Sequence, residues 1–438
     1  MSLAMDWISA PAGPLRGELV VPGDKSVSHR AMMLAALADG TSRIRGFLEG
    51  EDTRATAEAF ARMGVRIEAP SPGERVVHGV GLHGLAAPAR PLDCGNSGTG
   101  MRLLAGLLAG QAFDATLVGD ASLSRRPMGR VIEPLTAMGA HIASEPGGLP
   151  PLRIRGGRKL QGIAYAPPVA SAQVKSAILL AGLYAEGETA VRELRPTRDY
   201  TERMLGAFGW PVACGPGWAR LAGGGRLRAT DVEVPADFSS AAFFLVAATL
   251  VPGSELRLRS VGLHPRRTGL LAVLRRMGAD IREEAPRDQG GEPVADLIVR
   301  HARLTGIDVP EALVADMIDE FPALFVAAAV ARGATTIRGA EELRVKESDR
   351  IAVMARGLRA LGVRIEERPD GATIEGGALG GGRVDSAGDH RCAMAFAMAG
   401  LIAETEVRIA DCTNVATSFP GFIDLANGCG FALRTIAE

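Results

Sequence analysis

Side chains that can bind anions and move protons are gathered in short polar clusters along this sequence. Lysines, arginines, hydroxyl groups and carboxylates recur in these clusters, which lie beside long apolar segments and at predicted helix starts. The N–H groups and the dipole at a helix N-terminus favour bound anions. The clusters occupy residues 22–30 (PGDKSVSHR), 94–102 (CGNSGTGMR), 124–129 (SRRPMG), 171–176 (SAQVKS), 195–199 (RPTRD), 315–320 (ADMIDE), 344–350 (RVKESDR) and 389–392 (DHRC).

Several other kinds of site are excluded. The phosphate-loop pattern GxxxxGK[ST] is absent, and the glycine-rich cluster at 94–102 is not GxGxxG. The five cysteines show no metal-ligand spacing, and Cys94 is interpreted as a packing residue. The 49 basic residues nearly cancel 50 acidic ones, and no apolar stretch is long enough to cross a membrane. We therefore expect a cytoplasmic protein without a metal site. We also expect that it binds neither nucleic acid nor membranes.

Six glycines mark an internal repeat. Each follows an apolar residue at the end of a predicted helix and precedes a short extended segment. Glycine at such a position favours the left-handed conformation that ends a helix. The glycines are Gly64, Gly139, Gly209, Gly278, Gly362 and Gly430. The pattern predicts six units along the chain, each with a helix, a turn and a strand in that order.

Six apolar helices recur in phase with these glycines. Their sequences are apolar nearly all round, which is typical of helices buried within a domain. They are predicted to begin near Ser28, Thr99, Ser171, Ser239, Asp319 and Asp389. Six units of about 73 residues, each with two helices and several strands, indicate two domains of three units.

The predicted domain boundaries follow two similar extended segments, ELVVP and VEVPA. One domain is predicted to span residues 21–235, and the other to combine residues 1–20 with 236–438. The chain would then cross between the domains twice, near 18–22 and 232–236, and these two strands would form a hinge. We expect the active-site cleft between the two domains.

The ordered clusters, together with TSFPGF at 417–422, resemble the family of 5-enolpyruvylshikimate-3-phosphate synthases (3-phosphoshikimate 1-carboxyvinyltransferases) over essentially the whole chain. Ser171-Ala172, Thr417 and the Arg198 loop are similar to the subgroup called class II. The resemblance implies an α/β fold, the two-domain inside-out α/β barrel of enolpyruvyl transferases, with six βαβαββ-type repeats, three per domain. It also implies a transferase of the shikimate pathway, on the route to chorismate and the aromatic amino acids, with no metal or organic cofactor.

The resemblance implies two small-molecule substrates, phosphoenolpyruvate (PEP) and shikimate 3-phosphate. The enolpyruvyl group of PEP would pass to the shikimate 5-hydroxyl through a tetrahedral intermediate, with release of phosphate. Each substrate carries a carboxylate and a phosphate, so cations must be concentrated in one cleft. The positions that match PEP-binding ones are Lys25, Asn96, Gly98, Thr99, Arg126, Gln173, Glu347, Arg350 and Arg391. Those that match shikimate 3-phosphate-binding ones are Lys25, Ser26, Arg30, Ser171, Ala172, Gln173, Arg198, Asp316 and Lys346.

Three residues are implied in proton transfer. Asp316 is assigned to take the proton from the 5-hydroxyl. Glu347 and Lys25 are both candidates for delivering and recovering the proton at the PEP methylene carbon, and their order stays open. Because these groups come from different predicted domains, we expect an open ligand-free state that shikimate 3-phosphate closes.

Glyphosate competes with PEP in this family and is expected to inhibit this chain. Tolerant members often carry alanine at the position of Gly98, and the glycine has no methyl group to crowd the inhibitor. We therefore expect glyphosate sensitivity, and a monomeric enzyme.

Two alternative functions remain open. UDP-N-acetylglucosamine enolpyruvyl transferases share the fold and the reaction type, but they typically carry a reactive cysteine shortly before the arginine equivalent to Arg126. Between Gly119 and Arg126 this chain reads DASLSR. A non-catalytic repeat scaffold that presents a cleft to a partner is the second alternative, and it gives no reason for Lys25, Asp316 and Glu347 to occur together.

Overall fold

The structure, a computed structural model, describes residues 5–437 and contains twelve α-helices in that range. Short 3-10 turns at Ala315–Met317 and Glu341–Val345 precede the ninth and tenth helices. The helices are α1 (Lys25–Leu37), α2 (Glu51–Arg62), α3 (Gly98–Ala109), α4 (Gly129–Ala137), α5 (Ala172–Gly182), α6 (Tyr200–Ala207), α7 (Phe238–Leu250), α8 (Gly269–Met277), α9 (Phe321–Ala329), α10 (Arg350–Ala360), α11 (His390–Leu401) and α12 (Phe422–Gly428).

Twenty-three strands accompany the helices in the same range. The first fourteen are β1 (Met5–Ser9), β2 (Arg16–Leu19), β3 (Asp39–Arg45), β4 (Arg66–Glu68), β5 (Glu74–Val80), β6 (Leu92–Asp93), β7 (Ala115–Val118), β8 (His141–Glu145), β9 (Leu149–Arg155), β10 (Ala164–Tyr165), β11 (Glu188–Arg192), β12 (Ala213–Gly215), β13 (Trp218–Ala222) and β14 (Val232–Glu233). The others are β15 (Glu255–Gly262), β16 (Asp280–Gln289), β17 (Glu292–Arg300), β18 (Ala334–Ile337), β19 (Arg364–Arg368), β20 (Gly371–Glu375), β21 (Gly382–Asp385), β22 (Val407–Ala410) and β23 (Leu433–Ala437).

The chain forms two compact units, each with its own hydrophobic core. The N-unit comprises Gly23–Val234. The C-unit comprises the described residues up to Pro22 together with those from Pro235 onward. None of the helices in the described range is long and apolar enough to span a membrane.

Each sheet of the N-unit has the same arrangement of four strands. The orders are β14-β3-β5-β4, β6-β7-β9-β8 and β10-β11-β13-β12. In each sheet the first pair is parallel and the other two pairs are antiparallel. The last strand of the unit, β14, therefore completes the sheet of the first repeat, since Val232 and Glu233 pair with Ile44 and Arg45.

The C-unit repeats this arrangement. Its sheets have the orders β16-β17-β15-β2, β18-β20-β19 and β21-β22-β1-β23. Strand β2 pairs with β15 and β1 lies between β22 and β23, so the first described segment of the chain completes two of the sheets. In the remaining sheet, β18-β20-β19, a parallel bridge between Asp308 and Thr336 of β18 stands where the other sheets have a fourth strand. Six repeats, three in each unit, confirm the predicted fold class.

The first helix of each repeat is buried inside its unit. In the C-unit α7, α9 and α11 pack against one another, and in the N-unit α3 packs against both α1 and α5. Every residue of α9 and α11 is buried, as their apolar sequences predict. The predicted starts are confirmed to within three residues. Helix α1 begins earlier than expected because Asp24 caps it, and α9 begins later because the turn at Ala315–Met317 precedes it.

The six repeat glycines have the predicted left-handed conformation. Their φ angles lie between +80° at Gly209 and +110° at Gly430. Each follows the second helix of its repeat, so the sequence signal for helix ends is confirmed in all six repeats.

Candidate active site

The N-unit brings the starts of three buried helices together. Ser97, which caps α3, has its Oγ 3.2 Å from Nε2 of His29 in α1. Gln173, in the first turn of α5, donates from Nε2 to Thr99 Oγ1 of α3 at 2.9 Å. The predicted clusters at 22–30, 94–102 and 171–176 therefore lie in one region of this unit.

Lys25 lies in the first turn of α1 and is paired with a carboxylate of α2. Its Nζ is 2.9 Å from Asp52 Oδ2, and its side chain remains 15% exposed. Below it, fully buried His29 has its Nδ1 2.8 Å from Thr56 Oγ1. Burial, and then the charges of Lys25 and Arg30, hold the pKa of His29 well below its ordinary value, so the ring is neutral. Lys25 can thus present an ammonium group to an anion beside the helix start.

Arg126 is held against the glycine-rich cluster by Asn96. Its Nη2 donates to Asn96 Oδ1 at 2.7 Å, and Asn96 Nδ2 donates to Asp120 Oδ2 at 2.7 Å. Gly98 is adjacent, because a Cβ built there would lie 3.5 Å from Arg126 Nη1 and 2.9 Å from Arg102 Nη1. The missing side chain at Gly98 leaves space beside two guanidinium groups.

Arg102 belongs to the predicted cluster 94–102, but it was not predicted to bind a substrate. Its Nη1 donates to Gln173 Oε1 at 2.7 Å, and Gln173 in turn donates to Thr99. Arg102 follows Gly98 by one helical turn, so the i, i+4 spacing was the available signal. The side chains of Arg102, Gln173 and Thr99 form one hydrogen-bonded chain between α3 and α5.

Arg30 is buried between α5 and α6. Its Nε donates to Thr201 Oγ1 and its Nη2 to Ser176 Oγ, each at 2.7 Å. Burial, and then the charge of Arg198, lower the pKa of Arg30 to about 10. The two guanidinium groups therefore repel each other in the absence of a ligand. An anion that contacts both relieves that repulsion, which makes the pair suitable for a phosphate.

Three smaller residues lie at the starts of α1 and α5. Ser171 caps α5, with its Oγ accepting a hydrogen bond from Val174 N at 3.4 Å, and Ala172 is the first helical residue. The carbonyl oxygen of Ser26 accepts from Arg30 Nη1 at 2.9 Å. Ser26, Ser171 and Ala172 are half-buried, so a ligand can reach them.

In the C-unit, Arg350 is the centre of a buried ion network. Its side chain is 1% exposed, and it donates from Nε to Asp389 Oδ2 at 2.8 Å and from Nη2 to Glu347 Oε2 at 2.6 Å. Its Nη1 is 3.7 Å from Asp319 Oδ1. Burial lowers the pKa of Arg350, but the three carboxylates override burial and raise it above its ordinary value. Arg350 therefore stays charged.

Asp319 joins several cations of this unit. Its Oδ2 is 3.6 Å from Arg267 Nη1, and its backbone oxygen accepts from Arg391 Nη1 at 3.2 Å. Burial lowers the pKa of Lys346, and the charge of Asp319 opposes that shift. The structure thus gathers Lys346, Arg350 and Arg391, all predicted site residues, around an aspartate that was not predicted as one.

Asp316 is the residue that was expected to accept the 5-hydroxyl proton. Its surroundings differ from those of Asp319. It lies in the turn Ala315–Met317, is 7% exposed, and accepts from Arg266 Nη1 at 3.3 Å. Asp319, three residues later, is the carboxylate that contacts Arg350. The sequence does not distinguish the two aspartates of ADMIDE, because only the geometry of the turn places Asp319, and not Asp316, beside Arg350.

A second buried set lies behind Asp319. Arg267 is 4% exposed and donates from Nη2 to Asp237 Oδ1 and to Ser239 Oγ, each at 2.8 Å. Ser239 donates to Glu320, whose pKa is raised by its burial. These contacts join the start of α7 to the start of α9 and so fix the position of Asp319.

The two sets of groups can do different chemistry. The N-unit set is mainly cationic and lies at helix N-termini, so it can bind anions. The C-unit set alternates cations with carboxylates, so it can bind anions and also accept or deliver protons. Among residues 5–437, no group of histidine, cysteine, aspartate and glutamate side chains could hold a metal ion.

Comparison with known proteins gives a full-length match. The family described as EPSP synthase (3-phosphoshikimate 1-carboxyvinyltransferase) matches residues 10–425. A protein of Xanthomonas campestris pv. campestris (strain B100), named 3-phosphoshikimate 1-carboxyvinyltransferase, is 68% identical over 427 residues, 98% of each chain. A protein of the same name from Xanthomonas axonopodis pv. citri (strain 306) is 66% identical over 429 residues, again 98% of each chain.

Solved structures match the fold equally well. Two structures of EPSP synthase from Acinetobacter baumannii align with TM-scores of 0.89 and 0.88 and are 51% and 50% identical in sequence. Each alignment covers 99% of this chain and 100% of the other.

Proposed function

The chain belongs to the EPSP synthase family, and from this premise we propose that it transfers the enolpyruvyl group of PEP to the 5-hydroxyl of shikimate 3-phosphate. The products are 5-enolpyruvylshikimate 3-phosphate and phosphate, a step of the shikimate pathway. The proposal rests chiefly on the cations beside the starts of α1 and α3, because both substrates are polyanions; these cations are Lys25, Arg30, Arg102 and Arg126.

The N-unit supplies most of the anion-binding groups. Arg126 and Lys25 are suited to PEP, and the repelling pair Arg30 and Arg198 is suited to the 3-phosphate. Gln173 follows Ser171-Ala172 and contacts Thr99, so its amide links the groups proposed for the two substrates. Asn96 and Gly98 complete the PEP side, while Ser26, Ser171 and Ala172 complete the shikimate side.

The reaction needs one proton acceptor and one proton donor. The 5-oxygen attacks C2 of PEP while a carboxylate takes the hydroxyl proton and an acid adds a proton to C3, which forms the tetrahedral intermediate. A proton then leaves the new methyl group as phosphate departs, and the carbon–carbon double bond is restored. The enolpyruvyl group is transferred, phosphate is released and protons are exchanged with no net oxidation or reduction, so we propose no cofactor.

Asp319 is better suited than Asp316 to accept the 5-hydroxyl proton. Its contacts with Arg350 and Arg267 favour the ionised form that a base requires. Its side chain is 20% exposed, whereas the side chain of Asp316 is 8% exposed and paired with Arg266. We propose Asp319 for this role, with Glu347 and Lys25 as the groups that exchange the proton at C3.

The proposal requires groups of both units to contact the same substrates. Lys25 and Arg126 belong to the N-unit, while Glu347, Arg350 and Arg391 belong to the C-unit. We propose that residues 18–22 and 232–236 act as a hinge and that shikimate 3-phosphate binding promotes closure. We also propose that glyphosate inhibits the enzyme at the PEP side and that the enzyme is a monomer. A cytoplasmic location is proposed as well, and the five free cysteines are in keeping with a reducing compartment.

The direct test is phosphate release from PEP with each of two acceptors. We expect turnover with shikimate 3-phosphate and none with UDP-N-acetylglucosamine. Turnover only with the sugar nucleotide would keep the reaction type but refute the acceptor. If no phosphate is released with either acceptor, the result would favour a non-catalytic scaffold.

A further inference from the structure

A buried ion triad lies beside the groups proposed for the substrates. Lys175 of α5 is 3% exposed, and its Nζ is 2.9 Å from both Glu193 Oε2 and Glu202 Oε1. Glu193 directly follows β11 and Glu202 belongs to α6, so the triad ties three segments together. A buried ion pair adds little net stability but can hold groups in one arrangement, so the main effect of this triad is on the positions of the segments that it joins.

One end of the triad fixes the residue before Arg198. Glu193 accepts hydrogen bonds from Thr197 Oγ1 at 2.5 Å and from Thr197 N at 3.2 Å. The N–H of Glu193 itself donates to Gly217 O at 2.7 Å. The loop 194–199 is therefore anchored at Glu193, just before it begins, and again at Thr197. Arg198 is the next residue after Thr197.

The other end of the triad lies next to Arg30. Thr201, the neighbour of Glu202, accepts from Arg30 Nε and donates to Ser176 Oγ, each at 2.7 Å. The charge of Glu202 raises the pKa of Arg30 against the lowering effects of burial and of Arg198. Glu202 thus provides a counter-charge where two guanidinium groups repel each other.

We propose that Lys175, Glu193 and Glu202 form a positioning network that holds Arg198 near Arg30, so that both guanidinium groups can bind one phosphate. The network gives the acceptor site its preference for a 3-phosphorylated ligand. This inference rests on the proposed function and names residues that do not themselves contact a substrate. The network is therefore expected to affect binding of the 3-phosphate group and not binding of the shikimate ring.

The first variant for the test is Thr197→Val, which removes one donor to Glu193 and changes little volume. Binding of shikimate 3-phosphate and of shikimate, which lacks the phosphate, is measured separately by calorimetry. We expect the dissociation constant of shikimate 3-phosphate to rise about tenfold, because a hydrogen bond to a charged group is lost. The dissociation constant of shikimate should change less than about twofold.

Additional variants separate positioning from folding. Thr197→Ser keeps the donor and should restore phosphate affinity, and Lys175→Met should repeat the effect of Thr197→Val. Lys159→Met, at an exposed position, is the control for loss of a lysine. The KM for PEP at saturating shikimate 3-phosphate should stay within about twofold of wild type in Thr197→Val.

Two results would overturn the positioning role. One is an equal loss of affinity for both acceptors, and the other is a lower melting temperature with unchanged affinity for shikimate 3-phosphate. If the wild-type chain itself fails to bind shikimate 3-phosphate, the proposed function falls, and this inference falls with it.

Discussion

Three carboxylates share the guanidinium of Arg350, and their surroundings decide which of them can take part in chemistry. Asp389 is fully buried, and Arg350 keeps its pKa below the ordinary value although burial acts to raise it. Asp389 also caps α11, accepting from Arg391 N at 2.9 Å. The side chains of Asp319 and Glu347 are 20% and 21% exposed. Asp389 is therefore structural, while Asp319 and Glu347 can reach a substrate.

Asp319→Asn and Asp316→Asn make a matched pair of variants. Asp319→Asn should lower kcat about 100-fold or more, because an amide cannot accept the 5-hydroxyl proton. Asp316→Asn should keep kcat within about tenfold, because the carboxylate that it replaces is paired with Arg266. Initial rates of phosphate release measure both. The reverse order of effects would restore Asp316 as the base.

Gly98→Ala tests the space beside Arg102 and Arg126. The added methyl group would lie 2.9 Å from Arg102 Nη1, so that guanidinium group must shift. We expect the inhibition constant for glyphosate to rise about tenfold or more, with a smaller rise in the KM for PEP. Steady-state inhibition with PEP as the varied substrate measures both. An unchanged inhibition constant would contradict the proposed place of the inhibitor.

His29 makes stability depend on pH. Its pKa is well below the ordinary value in the folded chain, so below pH 6.5 the unfolded chain binds a proton that the folded chain does not. This contribution to the free energy of unfolding is lost as pH falls, by about 1.4 kcal/mol per pH unit. The stability difference between wild type and His29→Gln should therefore shrink by about 1.4 kcal/mol from pH 7.5 to 5.5 in urea titrations. A difference that does not change with pH would mean that the ring takes up a proton in the folded chain.

At the scale of elements, the spacing of α3 and α5 depends on one glycine. A Cβ on Gly106 would lie 2.2 Å from the backbone oxygen of Ala177, so the two helices could not approach as they do. These helices carry Thr99 and Gln173 at their starts, and the same spacing allows the hydrogen bond between them. The close packing of the core therefore sets the geometry of the anion-binding groups.

Gly106→Ala and Gly206→Ala test this packing. Gly106→Ala should lower the free energy of unfolding by about 1–3 kcal/mol, because it overpacks a helix contact. Gly206, in α6, has no atom within 4 Å of an added Cβ, so Gly206→Ala should be neutral or stabilise by up to about 1 kcal/mol. Urea denaturation measures both variants. Equal effects would show that the close approach is not what matters.

The sequence predicts the repeated elements better than their long-range partners. Helix starts and the repeat glycines are local signals, and all six glycines have the expected conformation. The similar segments ELVVP and VEVPA predict that residues 1–20 combine with 236–438, but they do not predict which strands β1, β2 and β14 pair with. The choice between Asp316 and Asp319 has the same cause, because it depends on how one turn packs rather than on residue type.

At the scale of the whole molecule, the chain divides the groups for the proposed reaction between two units with separate cores. The mainly cationic set belongs to Gly23–Val234, and the set that contains Asp319 and Glu347 belongs to the C-unit. Neither set alone holds both the arginines proposed to bind the 3-phosphate and the carboxylate proposed to accept the 5-hydroxyl proton. The proposed reaction therefore requires both units to bind the same ligand.

Calorimetric titration of shikimate 3-phosphate into the wild-type chain, Arg198→Met and Lys346→Met measures whether both units contribute to binding. Arg198 belongs to the N-unit and Lys346 to the C-unit. We expect each variant to raise the dissociation constant about tenfold or more, because each removes a cation that binds the same polyanionic ligand. If either variant bound shikimate 3-phosphate as tightly as wild type, the substituted cation would not contribute to binding, and a site shared by both units would be contradicted.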